Sequence, residues 1–324
     1  MNSKHTLDFG DGDRLYGRTL NAKAERNHEG VRMKTTSMDL ELLEAPPCLL
    51  GEALCWSEAD RTVYWADIDG GAVHACDHAT GDCSVVWRGP NKVSAILAAE
   101  DGGLIAAYER GLARLDVRRG VLVHMADLPV PRGWRLNDAA VDPGGRVLVG
   151  SMSPLMKDGV LYLCEAGRPA RLVLEGVGIS NGMAFCDGGR VLLHTDSPRR
   201  TIRAYAYDPA RRLDQGRPWY EGDPSNGVPD GCAQDAEGFI WVACWGGSCV
   251  LRLDRDGRIA GKAAMPVERI SNVCFAGPAL DWMYVTSAGA GKLPAPSGGT
   301  WRFRPGVKGK PETPARGFGI RAGA

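Results

Sequence analysis

At 324 residues and 44% hydrophobic composition, the chain is long enough to bury a sizeable core, as one large domain or two ordinary ones. Its 39 basic residues balance 39 acidic ones, and with no basic stripe to neutralise phosphates, neither nucleic acid nor an anionic membrane surface is an expected partner. The apolar runs are strand-length, far below the ~20 residues that cross a bilayer, and Met1 to Leu20 is polar, so no secretory leader is expected and a cytoplasmic location is the default.

In chain order, residues 1–35 read as a polar N-terminal extension. Within it "DFGDGD" at 8–13 hints at a calcium loop but lacks the closing Glu of one, so turn chemistry is the simpler reading. From residue 36 to 324 a single phrase recurs: a polar residue, four or five mostly apolar residues, a Gly-rich turn, then a β-rich strand. Loose copies open at Glu52 ("EALCWSEADRTVYWAD") and Ala95 ("AILAAEDGGLIAAYE"). Close copies open at Asn137, Asn181 and Asp230, and a last loose one at Asn272 ("NVCFAGPALDWMYVTS"). In the three close copies the turn glycine, Gly145, Gly189 or Gly238, lies eight positions after the opening residue. The openings are 42 to 49 residues apart, the length that four short strands and their turns occupy in a propeller blade. Six units predict an all-β, six-bladed β-propeller; an ordinary β-sandwich would not repeat so regularly. The final unit supplies "GTWRFRPG", and "SMDLELLE" before Glu52 is placed to add an outer strand to that same blade and close the ring.

The first strand of each blade runs along the central channel, all six in one sense, so the opening residues should ring one mouth of it. That ring reads Glu52, Ala95, Asn137, Asn181, Asp230 and Asn272. Hard oxygen donors, two of them anionic, suit Ca²⁺, Mg²⁺ or Mn²⁺. Asn and Asp also favour turns before strands, but four at equivalent repeat positions fit that account poorly.

Other features carry less. Ten cysteines include no CxxC pair, and Cys55, Cys164, Cys186, Cys232, Cys244, Cys249 and Cys274 lie in or beside apolar runs, which reads as reduced core thiols. His74, Cys76 and His78 alternate along a strand and share a face, which admits zinc, although a late strand of a blade more often faces solvent. No G-x-S-x-G nucleophile elbow occurs. "GAGK" at 289–292 is too short for a phosphate loop and reads as a connecting turn. Trp245 either walls the pocket or packs between blades.

With these residues in view, the sequence resembles the senescence-marker-protein (regucalcin), gluconolactonase and luciferin-regenerating-enzyme family, in its bacterial sugar-lactonase branch. The resemblance rests on "LGEALCW" at 50–56, "RLNDAAVDPGGR" at 135–146, "ISNGMAF" at 179–185, "PDGCAQDAEGFIWVACWGG" at 229–247 and "MYVTSA" at 283–288. It implies a divalent metal held by Glu52, Asn181 and Asp230, with Arg135 and Asn137 touching substrate. The family's usual Gly-Glu-Gly-Pro is replaced by Gly51-Glu52-Ala53-Leu54. The expected activity is metal-dependent, gluconolactonase-like opening of a small-molecule sugar lactone to its aldonic acid. One divalent cation is expected, Ca²⁺ first and Zn²⁺, Mn²⁺ or Mg²⁺ as alternatives, with Asp230 as the proton-handling catalytic residue. A phosphotriesterase-like hydrolase on the same metal site and a non-catalytic calcium-binding regulatory propeller stay open, as does the oligomeric state.

Overall fold

The structure, a computed structural model, describes residues 39–291 and 293–319. The extension expected over residues 1–35, with its segment at 8–13, lies outside the described residues. Five repeats fold as four-stranded antiparallel sheets whose strands follow one another by hairpins, and the sixth supplies three strands of a like sheet. Blade 1 spans 51–88, blade 2 93–127, blade 3 135–177, blade 4 180–221, blade 5 228–264 and blade 6 270–303. Among the described residues the only helices are three single 3₁₀ turns, and none is long and apolar enough to cross a membrane.

Turn chemistry explains why the hairpins fall where they do. Gly145 and Gly238 hold φ of 84° and 82°, in the left-handed region where a side chain is costly. Asp142 and Asp235 brace the same turns: each carboxylate accepts two backbone N–H groups from the turn it opens, an Asx arrangement. Inner and middle strands are sandwiched between neighbouring blades, so they read as near-continuous apolar runs. Thr62–Asp67 and Ile240–Trp245 each have five buried residues of six, whereas the outermost strand Val121–Asp127 has none.

The hydrophobic core is accordingly a ring. Six clusters of buried side chains lie one at each blade–blade junction. Trp65, Cys76 and Tyr284 join blades 1 and 6, for example, each large side chain contributing about 1.5–3 kcal/mol of burial. The ring closes as "SMDLELLE" foretold: Glu41–Leu42 pairs antiparallel with Thr300–Phe303, and Arg302 grips Glu41 through Nε at 2.9 Å and Nη2 at 2.8 Å.

A second closure had no counterpart in the repeats. After Phe303 the chain crosses the far end of the channel as a strap. Gly309 N–H donates to Leu280 of blade 6 and Lys310 N–H to Gln234 of blade 5. Lys310 Nζ reaches the Phe185 carbonyl of blade 4 at 2.8 Å. Ala315 pairs with Ala99 of blade 2, and Arg316 N–H donates to the Gly145 carbonyl of blade 3.

Candidate functional site

The innermost strands of all six blades share one irregularity. Their register against the second strand jumps between Glu52 and Cys55, Val93 and Ala95, Leu136 and Ala139, Asn181 and Met183, Pro229 and Cys232, and Ile270 and Asn272. A bulge leaves residues unpaired and re-aims their side chains, here at one end of every channel strand. Ala53, in the first bulge, adopts φ of 57°, a left-handed conformation that the family's glycine would take without strain. In blade 2 the ring position is held by Ala95, which pairs with Ala107 just as Asn272 pairs with Thr286 in blade 6, and which lines the channel without offering a donor. Ser94 lies in the bulge itself, as Ser271 does in blade 6, and both are buried.

Four of the ring residues are joined in pairs by hydrogen bonds, Asn137 to Asn181 and Asn272 to Glu52. Arg135 Nη1 donates to Asn137 Oδ1 at 2.5 Å. Asn137 Nδ2 donates to Asn181 Oδ1 at 2.6 Å and to the Ser180 carbonyl at 2.9 Å. Asn181 Nδ2 donates to Ser197 Oγ at 2.8 Å, and that hydroxyl donates to the Pro229 carbonyl, beside Asp230, at 2.7 Å. Between the neighbouring blades 6 and 1, Asn272 Nδ2 donates to Glu52 Oε2 at 3.0 Å. Gly231 leaves space for the Asn272 amide, because a Cβ there would lie 2.5 Å from Asn272 Nδ2.

Electrostatics set this cluster apart. Burial, then the charges of Glu52 and Asp138, push the Asp230 carboxyl well above the ordinary range, against the pull of Arg135. Burial and Asp138 lift Glu52 to about 7, opposed by the Asn272 hydrogen bond. Asp138 itself rises to about 7, mainly through burial. Arg135 is the countercharge, its own pKa lowered by burial. Among the described residues the buried Asp230 Oδ1 has no hydrogen-bond partner, which is costly unless something positive completes it. Glu52, Asn137, Asn181 and Asp230 thus offer the oxygen donors that could hold a hard divalent cation.

Sequence reasoning missed Asp138 as a member. The signal was there: it follows Asn137 inside the same register jump. Beneath the ring lies a cavity of about 780 Å³, walled by small residues such as Ala53, Ala139, Ala184 and Ala233, with Asp138 at the ring and Glu312 of the strap among its lining. Glu312 keeps contact with solvent, yet the enclosing channel raises its carboxyl above the ordinary range.

The His74, Cys76 and His78 face is not solvent-facing, and its members part company. Cys76 lies against Cys83, and His78 Nδ1 sits 3.0 Å from the Tyr284 hydroxyl. His74 stacks on Trp65 at 5.1 Å and shares with Cys48 and Asp67 a buried cluster whose potential ligand atoms lie within 4.8 Å of one another. There Asp67 already accepts the N–H groups of Leu49, Leu50 and Gly70, and Cys48 Sγ is 3.8 Å from His74 Nε2. That cluster anchors the loop entering the Glu52 strand. Trp245 is half-buried at the mouth end of its blade, with the Arg269 guanidinium 5.5 Å above its ring.

Residues 50–289 match the sequence model of the SMP-30/gluconolactonase/LRE-like region. The chain is 35% identical to a pentonolactonase of Haloferax volcanii over 75% of its own length and 82% of that protein's. It is 31% identical to a 6-deoxy-6-sulfogluconolactonase of Pseudomonas putida, over 77% and 87%. Among solved structures it resembles a calcium-binding protein, regucalcin, of Agrobacterium tumefaciens, with TM-score 0.78 and 27% identity over 86% of this chain and 98% of that one.

Proposed function

This chain belongs to the SMP-30/gluconolactonase/LRE-like family, and from that premise we propose that it is a metal-dependent lactonase opening a sugar-derived lactone to its aldonic acid. Two lactonases among its relatives support the substrate class. The observation that carries the metal reading is the buried Asp230 Oδ1, without a partner among the described residues, in a group of three mutually repelling carboxyls with Glu52 and Asp138. An all-oxygen donor set of mixed charge favours Ca²⁺, with Mn²⁺, Mg²⁺ and Zn²⁺ as alternatives. When bound, the cation supplies electrophilic activation of the lactone carbonyl.

The chain's own residues do the rest. Arg135 and Asn137 orient sugar hydroxyls or the ring oxygen by hydrogen bonds, Arg135 adding charge assistance. Asp230 takes the proton of the attacking water as it adds to the carbonyl carbon. The ring C–O bond then breaks, and the same proton passes to the departing alkoxide, leaving hydroxyl and acid. Ser197 acts indirectly: by accepting Asn181 Nδ2 it keeps the amide oxygen turned into the ring.

The test is a pH-indicator assay over a panel of aldonolactones with several metals, with organophosphate triesters alongside. Turnover of at least one sugar lactone, abolished by chelation and restored by a divalent ion, is the expected result. Full activity of a verified metal-free preparation refutes the metal role, and a triester preference refutes the substrate class.

A further inference from the structure

Cys76 and Cys83 belong to neighbouring strands of blade 1, away from the channel. They stand directly opposite each other in the register of Ala72–Asp77 against Cys83–Arg88. The next pair toward the turn is hydrogen-bonded, Asp77 N–H donating to the Asp82 carbonyl at 3.0 Å. Alternation therefore makes Cys76 and Cys83 a non-hydrogen-bonded pair, the narrow kind with Cα atoms about 4.5 Å apart and side chains closest. That separation lies inside the window of roughly 4.4–6.8 Å over which a disulfide spans without backbone movement. The two sulfurs face each other at 2.7 Å, so no rotamer change is needed to bring them together.

Access and reactivity are unequal in a useful way. Cys76 is fully buried, whereas Cys83 is partly exposed on the outermost strand of its blade. The Cys76 thiol hydrogen-bonds to Cys83 and lowers its pKa, and the Arg302 guanidinium adds to the effect against burial. Cys83 is thus the sulfur an oxidant meets first, and Cys76 waits behind it. A second opposed pair, Cys244 and Cys249, is buried on both sides and serves as an internal reference that reagents do not reach.

We propose that Cys76 and Cys83 form a reversible intrachain disulfide by exchange with a low-molecular-weight disulfide such as oxidised glutathione. Cys83 thiolate attacks one sulfur of the reagent, whose S–S bond breaks and releases one thiolate, leaving a mixed disulfide on Cys83. Cys76 gives up its proton and attacks the Cys83 sulfur, releasing the second reagent thiolate. The protein pair loses two electrons and the reagent gains them. The bond spans a turn whose His78 carbonyl accepts from Arg302 Nη1 at 3.2 Å, while the same guanidinium holds Glu41 in the ring-closing strand. Oxidation thereby staples the hairpin against which the ring is latched.

The full-length native protein is incubated with oxidised glutathione, alkylated under denaturing conditions and mapped by peptide mass. The expected product links Cys76 to Cys83, is two hydrogens lighter than the reduced protein, and reverts with dithiothreitol. Cys76→Ser should stop at a glutathione adduct on Cys83, and Cys83→Ser should leave Cys76 unmodified. Native wild-type protein that keeps both thiols alkylatable, or that cross-links Cys83 to any other cysteine, overturns the proposal. So does a Cys76→Ser protein carrying no adduct.

Discussion

Replacing Glu52 by Gln tests whether the ring is held together against its own charge. In the metal-free protein burial and Asp138 raise this carboxyl from 4.5 to about 7. That displacement is worth roughly 3 kcal/mol, at about 1.4 kcal/mol for each pH unit. Between about pH 4.5 and 7 the folded chain holds a proton on Glu52 that the unfolded chain has released. The native state therefore binds more protons, and stability falls as pH rises through that window. Below it the contribution vanishes; above it the full cost is present. Glu52→Gln removes the titration yet keeps an oxygen to accept Asn272 Nδ2. In EDTA the variant should melt close to wild type at pH 5 and roughly 5–10 °C higher at pH 8. Added Ca²⁺ should raise the wild-type Tm at pH 8 and leave the variant nearly unmoved, since one anionic donor is gone. Differential scanning fluorimetry at both pH values, with and without Ca²⁺, reads all of this. An equal Tm difference at pH 5 and pH 8, or a variant less stable than wild type at pH 8 in EDTA, refutes the reasoning.

Asp230→Asn at saturating metal should lose about 10²–10⁴-fold in kcat while staying folded; near-normal kcat per folded molecule removes Asp230 from the chemistry. Arg135→Ala should lower kcat/KM on the best lactone with the metal-induced Tm rise intact, because its task is orientation; loss of that rise with unchanged kinetics at saturating metal reverses the assignment. Ala53→Gly, at φ of 57°, exchanges left-handed strain of roughly 1–2 kcal/mol for glycine's entropy of about 0.5–1 kcal/mol. A net stabilisation of about 0.5–1 kcal/mol in urea unfolding is expected, and a destabilised variant means its methyl packing outweighs the strain.

The repeat was legible in the sequence because its signals are local. A glycine forced to φ near 80° at Gly145 or Gly238, and a strand sandwiched on both faces, leave their mark within a few residues. Copies of that mark 42 to 49 residues apart reveal six blades. The ring residues Asn137, Asn181 and Asp230 were legible for the same reason, since each opens a copy of the phrase; Glu52 and Asn272 came with the looser copies. What the tertiary structure decided is contact between distant parts of the chain. Asp138 joins Glu52 and Asp230 electrostatically across three blades. Glu312 reaches the channel on a strap with no repeat of its own, held by carbonyls and N–H groups of five blades. Cys76 found Cys83, and His74 found Cys48 and Asp67, through pairing and packing rather than through spacing along one strand. Local chemistry writes the blades into the sequence; closing them into a ring sets which side chains meet.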